Sequence, residues 1–359
     1  MNRFSRIVFL VLALVMAIST VAFAEELDEA AWADRAEYLK SFKSDKPESE
    51  WKLAVVPQYG PHPWWVRGNE GTKRFAEETG LNAYEASPAE GELAAQMQVV
   101  EDLIAQGVDA ICICTIDPDA IAPLLQTALD KGIVVLSHEA ATLKSTLFDI
   151  EAFSNEDYGA HMMDLLAGVL NEEGTYATMV GHVTKVSHMT WTGAEVARQR
   201  EAYPNMQLLG GTNPTLESTD TTEGAYERAK EMLTAHPEVK GILTCGSTEP
   251  AGVARAVEEL GLTGQFSIVG TGLPSELKPY LEDGSVTYVG TWDPAAACYT
   301  MLSIATKILR GEDLDVINGI DSGWGEGWEA LKPITSDGIV LAGQGWNFYS
   351  KDTVDQILF

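Results

Sequence analysis

Positive charge is scarce in this chain: 24 Lys and Arg stand against 53 Asp and Glu, a formal net charge of -29 over 359 residues. So acidic a chain repels nucleic acid and anionic membrane surfaces, which excludes both as partners. The acids are spread along helical stretches rather than gathered in a tail, a pattern that suits solubility in a salty medium. Cysteine is rarer still, with Cys112, Cys114, Cys245 and Cys298 only. Cys112 and Cys114 lie two apart on an expected strand, where same-face side chains are roughly 7 Å apart, too far for an unstrained disulfide. All four sit in apolar surroundings and read as small buried hydrophobes. The six histidines are scattered, with no Cys/His spacing that would hold a metal. There is no P-loop, and Gly68, Gly71, Gly270 and Gly272 do not compose G-x-G-x-x-G, so no phosphate or dinucleotide cofactor is expected. His188, or His138 beside Glu139, could be written as an acid/base pair, but no nucleophile elbow or metal motif accompanies them. The chain reads as a binder, not an enzyme.

Long hydrophobic runs are also missing, with one exception. Arg3 and Arg6 precede an apolar run over residues 7–18, and Ala22, Phe23 and Ala24 form a small-x-small cleavage site before Glu25. Residues 1–24 therefore read as a signal peptide, and no cysteine follows to carry a lipid. An exported, soluble mature protein is expected. Residues 25–50 are polar and helix-prone with sparse apolar points (Trp32, Tyr38, Leu39, Phe42), as in an amphipathic arm lying on the body.

What is present is organised around residues 51–80. Residues 52–56 form a short β-branched run that reads as a buried strand. Pro57, Gly60, Pro61 and Pro63 stiffen the loop that follows, and a helical pattern then runs to Gly80, a C′ glycine. In that loop stand His62, Trp64 and Trp65, at the carboxyl end of a first parallel strand, where open α/β sheets place their ligands. Two adjacent tryptophans there offer flat faces with N–H handles; packing under the helix is the alternative for one of them.

Strands and helices alternate from residue 52 onward, break near residues 149–155, and resume to residue 309. The rhythm predicts an α/β protein of two similar, doubly wound parallel-sheet lobes with a cleft between them. The expected strand ends carry Gln58 and His62; Cys114; Glu139; His188; Ser247 and Glu249; and Trp292 and Asp293. Such a mixture of amides, hydroxyls, carboxylates and rings suits a small neutral polyhydroxy ligand. Asp293 is also a good N-cap before Pro294, and Trp191 and Trp292 could either cover the cleft or fill core.

As a set, residues 53–80, 109–119, 134–142, 233–246, 268–274 and 290–294, with Gly338 to Leu341 and Trp346 to Phe348, resemble the type I periplasmic solute-binding proteins of ABC transporters, the ribose, rhamnose and autoinducer-2 group. The resemblance implies Rossmann-like lobes joined by a three-segment hinge, with crossings near Phe153, Gly290 and Ile334. The N-terminal lobe would hold residues 51–153 and 291–334, and the C-terminal lobe residues 154–290 and 335–359. It implies a periplasmic, monomeric receptor that closes on a carbohydrate-like molecule and delivers it to an ABC permease. A signal receptor read by a membrane sensor or chemoreceptor is the alternative. By the same resemblance His62, Trp64 and Trp65 form the sugar-stacking loop, and Glu139 takes the place of a ligand-binding Asp. His188 falls where the autoinducer-2 branch has an acid, and Ser247, Glu249, Trp292 and Asp293 belong to binding loops. The chain departs from the pattern at several points. Gln58 stands where the autoinducer-2 branch has Lys, Gly272 where ribose-type sites have Asp, Cys114 where they have Asn, and no Arg matches their second-lobe clamp. Ribose is thereby disfavoured, and a polyol, a deoxysugar or a cationic ligand stays open.

Overall fold

The computed structural model describes residues 27–325, 327–357 and 359, so the expected signal peptide lies outside the described residues. The arm enters as helix α1 (Glu29–Lys40), capped by the Asp28 carboxylate. It buries Leu39 and Phe42 and sets Trp32 6.3 Å from the Phe148 ring of the first lobe.

The first lobe then builds in the order β1 (Leu53–Val56), α2 (Pro63–Thr79), β2 (Ala83–Glu85), α3 (Leu93–Ala105), β3 (Ala110–Ile113), α4 (Pro118–Asp130), β4 (Val134–His138) and β5 (Phe148–Glu151). The second lobe follows with α5 (Asn155–Val169), β6 (Gly174–Val180), α6 (Val186–Ala202), β7 (Met206–Leu208), β8 (Leu216–Glu217), α7 (Thr222–Ala235), β9 (Val239–Thr244), α8 (Glu249–Glu259), β10 (Ser267–Thr271), α9 (Pro274–Asp283) and β11 (Tyr288–Thr291). The chain returns through α10 (Pro294–Arg310), β12 (Lys332–Pro333) and β13 (Val340–Ala342), and closes with β14 (Asn347–Tyr349).

One sheet runs β12-β13-β5-β4-β3-β1-β2 and the other β14-β11-β10-β9-β6-β7, with β8 also on β6. Both are parallel except for β12 and β14, which pair antiparallel at the edges. The expected two-lobe α/β architecture is therefore the one observed.

Three segments cross between the sheets: residues 152–154, residues 292–293 and residues 343–346. The third corrects the expected crossing at Ile334 and the assignment of everything after it to the second lobe. Val340, Leu341 and Ala342 pair in parallel with Asp149, Ile150 and Glu151 of the first sheet. Ile334 sits in the turn between β12 and β13, its N–H donating to the Val340 carbonyl at 3.0 Å. The passage near residue 149 expected to be irregular is β5 itself.

Local chemistry explains the helices that matter for the cleft. Pro63 occupies the first turn of α2, the His62 ring caps it, and Gly80 ends it in the left-handed region. The interior of α10 is almost wholly apolar and buried, and it packs on both α2 and the first sheet. At Gly71 a Cβ would come within 1.9 Å of the Ala295 carbonyl, so only glycine lets α2 and α10 approach this closely. All four cysteines are buried and unpaired.

Candidate functional site: an aromatic cleft between the lobes

The carboxyl ends of the parallel strands face one another across a narrow cleft between the lobes. From the first lobe it receives Gln58 after β1, His62, Trp64 and Trp65 at the start of α2, and Glu139 after β4. From the second it receives Lys185, His188 and Trp191 around the start of α6, Asp220, Cys245 and Ser247 after β9, and Thr271 at the end of β10. Trp292, on the second crossing segment, completes the wall. The lobes touch directly here: Ser187 Oγ donates to Glu139 Oε2 at 3.2 Å, and Thr184 Oγ1 to the Ile116 carbonyl at 3.4 Å.

The walls are aromatic. Trp64 meets Trp292 edge-on with ring centres 4.7 Å apart, Trp191 meets Trp292 at 5.5 Å, and the His188 ring stacks on Trp191 at 5.3 Å. Trp191 uses its N–H on Asn155 Oδ1 at 2.5 Å, whereas the Trp292 indole N–H is buried with no partner.

Both imidazoles are kept neutral. Burial, then the Lys185 charge, pushes His188 well below its ordinary pKa. Burial and Lys185 likewise lower His62, against the pull of Asp220. Their tautomers follow from the backbone. The Trp64 N–H donates to His62 Nδ1 at 3.2 Å and the Gly181 N–H to His188 Nδ1 at 3.1 Å. Each neutral ring therefore carries its proton on Nε2, and His62 Nε2 is buried without a partner.

Charge is concentrated in one pair. Lys185 Nζ lies 2.7 Å from Asp220 Oδ2, with the side chains 8% and 18% exposed. Burial alone would raise the Asp220 carboxyl, but the Lys185 ammonium holds it well below the usual range. Gly181 and Gly246 make its room: a Cβ at either would lie within 3 Å of Asp220 Oδ1. With Glu139, the cleft holds two carboxylates against one ammonium.

Of the site residues expected from sequence, Gln58, His62, Trp64, Trp65, Glu139, His188, Trp191, Ser247 and Trp292 line the cleft. Three expectations are corrected. Asp293 turns to the back of the hinge, where it caps α10 through the Ala295 N–H and takes a two-pronged ion pair from Arg67 at 3.0 and 2.7 Å. Glu249 is fully buried behind the cleft, accepting from Ser218 Oγ at 2.6 Å and the Gly246 N–H at 2.7 Å. Cys114 is buried at the end of the first-lobe sheet, outside the lining. Lys185, Asp220, Cys245 and Thr271 were not anticipated as site groups. Lys185 sat in a stretch already read as a strand end, so its place in the loop was legible. Asp220 was not, because a helical pattern already begins at residue 219, although the helix itself starts only at Thr222.

Beneath the second-lobe half lie two carboxyls. Glu195, both oxygens buried without partners, is pushed up to about 8 by burial and by Glu249. Burial likewise raises Glu249 to about 8, despite its Ser218 and Gly246 hydrogen bonds. The folded protein thus holds protons that the unfolded chain releases near 4.5, so these groups stabilise fully below that value and the contribution is lost as pH rises towards 8. A series of melting curves from pH 5 to 8 is expected to fall less steeply for Glu195→Gln than for the wild type.

A two-lobed protein with a ligand cleft at facing strand ends and three crossing segments is a type I periplasmic binding protein. The family model described as "Periplasmic binding protein domain" matches residues 53–313, and the chain belongs to that family. It is 26% identical over 288 residues to the D-ribose/D-allose-binding protein of Pseudomonas aeruginosa, covering 76% of this chain and 86% of the relative. It is 24% identical over 274 residues to the xylitol-binding protein of Mycolicibacterium smegmatis, covering 74% of each. Among solved structures, LsrB from Clostridium saccharobutylicum in complex with AI-2 superposes with a TM-score of 0.77 at 20% identity, over 86% of this chain and 100% of that one. As a member of a family of binding proteins, the chain is a receptor and not an enzyme.

Proposed function

We propose that this protein is a periplasmic receptor that captures a small, neutral polyhydroxy compound (a sugar, deoxysugar or polyol) and delivers it as a monomer to an ABC permease. The observation that carries the reading is the set of fixed N–H donors among tryptophan faces: His62 Nε2, His188 Nε2 and Trp292 Nε1. A sugar stacks its C–H faces on the rings and offers hydroxyl or ring oxygens to those donors. Glu139, Asp220, Ser247 and Thr271 offer oxygens that accept hydrogen bonds from its hydroxyls. Sugar acids and phosphates would meet two carboxylates against one ammonium. A quaternary ammonium ion suits the rings but offers no acceptor, leaving each buried donor unpaired at about 1–3 kcal/mol. The sugar and polyol names of the relatives support the same class and lend weight to uptake over signalling.

Closure supplies the mechanism. Ligand that touches both lobes favours the conformation in which Glu139 reaches Ser187, and so shifts the population towards it. A thermal-shift screen tests the reading, using D-ribose, D-allose, xylitol, L-rhamnose, autoinducer-2, hexuronates and quaternary amines. A neutral compound at a hundredfold excess over its Kd is expected to add about 2.7 kcal/mol of apparent stability. Stabilisation by cations or hexuronates alone would refute it.

A further inference from the structure

The turn that delivers Asp220 is strained. Thr219 and Asp220 both lie in the left-handed region, at φ 57° and 56°, though neither is glycine. Non-glycine residues persist there only where the surroundings over-determine them, and such strain clusters at functional sites.

Here the surroundings converge on one buried side chain. The Asp220 N–H donates to Ser218 Oγ at 3.1 Å, and Ser218 Oγ contacts Glu249 Oε1 at 2.6 Å. Glu249 Oε2 accepts the Gly246 N–H at 2.7 Å, which ties the turn to the end of β9. The Ser218 N–H in turn donates to the Val180 carbonyl at 2.9 Å, the end of β6. Asp220, so aimed, holds Lys185 at 2.7 Å.

We propose that Glu249 is a positioning residue for ligand capture: it pins the strained turn at Ser218, Thr219 and Asp220, and thereby sets the Lys185–Asp220 pair that faces the cleft. Glu249 never touches ligand; it acts through Ser218. The inference rests on the reading of the cleft as the ligand site. It makes Lys185 and Asp220 one unit whose geometry is fixed from behind, by a carboxyl group on a different helix. Other neighbours do not perform this role. Glu195 is near enough for the Glu249 charge to act on it, but its oxygens bond neither Ser218 nor Asp220.

Three variants test it: Glu249→Leu, which keeps the volume and removes both hydrogen bonds; Glu249→Gln, which can keep both; and Ser218→Ala, which breaks the link if the leucine variant fails to fold. Crystal structures report the turn, and isothermal titration with D-allose, xylitol and L-rhamnose reports affinity. In Glu249→Leu and Ser218→Ala the turn is expected to leave the left-handed region and Lys185 to separate from Asp220. The affinity for whichever probe the wild type binds is expected to fall about tenfold. Glu249→Gln is expected to restore both. A leucine variant with the turn, the ion pair and the affinity all unchanged would overturn the proposal, as would a glutamine variant no better than leucine. If the wild type binds none of the three probes, the carbohydrate reading loses support, while the crystal structures still decide the role of Glu249.

Discussion

Asp220→Asn is expected to cost the protein about 3 kcal/mol of stability, the lower end of the range for breaking a buried ion pair. The loss arises because Lys185, only 8% exposed, would keep its charge without its partner. Glu139 still attracts the ammonium, which is why the lower end applies. The same variant should also flatten the acid limb of the stability curve. A carboxyl held below its ordinary value of 3.8 stabilises the fold above that pH, and the contribution is lost as pH falls through its folded value. Urea denaturation at pH 7 and at pH 3 measures both effects. A penalty under 1 kcal/mol at pH 7, or an unchanged acid limb, would mean that the pair is not an energetic unit.

Trp292→Ala should be as severe, for a different reason. The ring is 2% exposed and touches Trp64, Trp191 and Phe153, with the Phe153 ring centre 5.1 Å away. Removing a buried indole costs about 3–5 kcal/mol through lost burial and the cavity left behind. Trp292 and Phe153 also stand on two of the three crossing segments, so the cavity would open at the hinge as well as in the cleft wall. Denaturation should show the stability loss, and titration should show lost ligand binding. Trp292→Phe should recover much of the stability but not the N–H donor. A destabilisation below 1 kcal/mol would remove Trp292 from the core of the account.

Most of this architecture was legible because its signals are local. The pattern at residues 51–80 contained a buried strand, a proline-stiffened loop, a capped helix and its glycine stop, and each forms where its chemistry indicates. The two tryptophans following Pro63 did reach the cleft. The errors share a cause in pairing over long distance. Val340 to Ala342 is an apolar run whose partner strand lies some 190 residues earlier in the chain, so nothing nearby assigns it to the first sheet. Two-residue β8 is too short for any periodicity, and the helical pattern that starts at residue 219 hides the Asp220 turn ahead of Thr222. Asp293 shows the complementary limit. Its role as a cap was readable from Pro294, but its diversion from the cleft depends on Arg67, more than two hundred residues away. Residue type marked where polar groups collect, and only the packing determined which of them face the cleft.

The central claim is that one neutral polyhydroxy molecule binds between the lobes against the tryptophan wall. Isothermal titration of D-allose, xylitol and L-rhamnose into the wild type and into Trp64→Ala tests it most directly. The account predicts one molecule bound per chain, with affinity weakened by about 1–3 kcal/mol in the variant through lost stacking and burial. A ligand bound equally well by Trp64→Ala, with only its melting point lowered, would make Trp64 part of the core and contradict the claim.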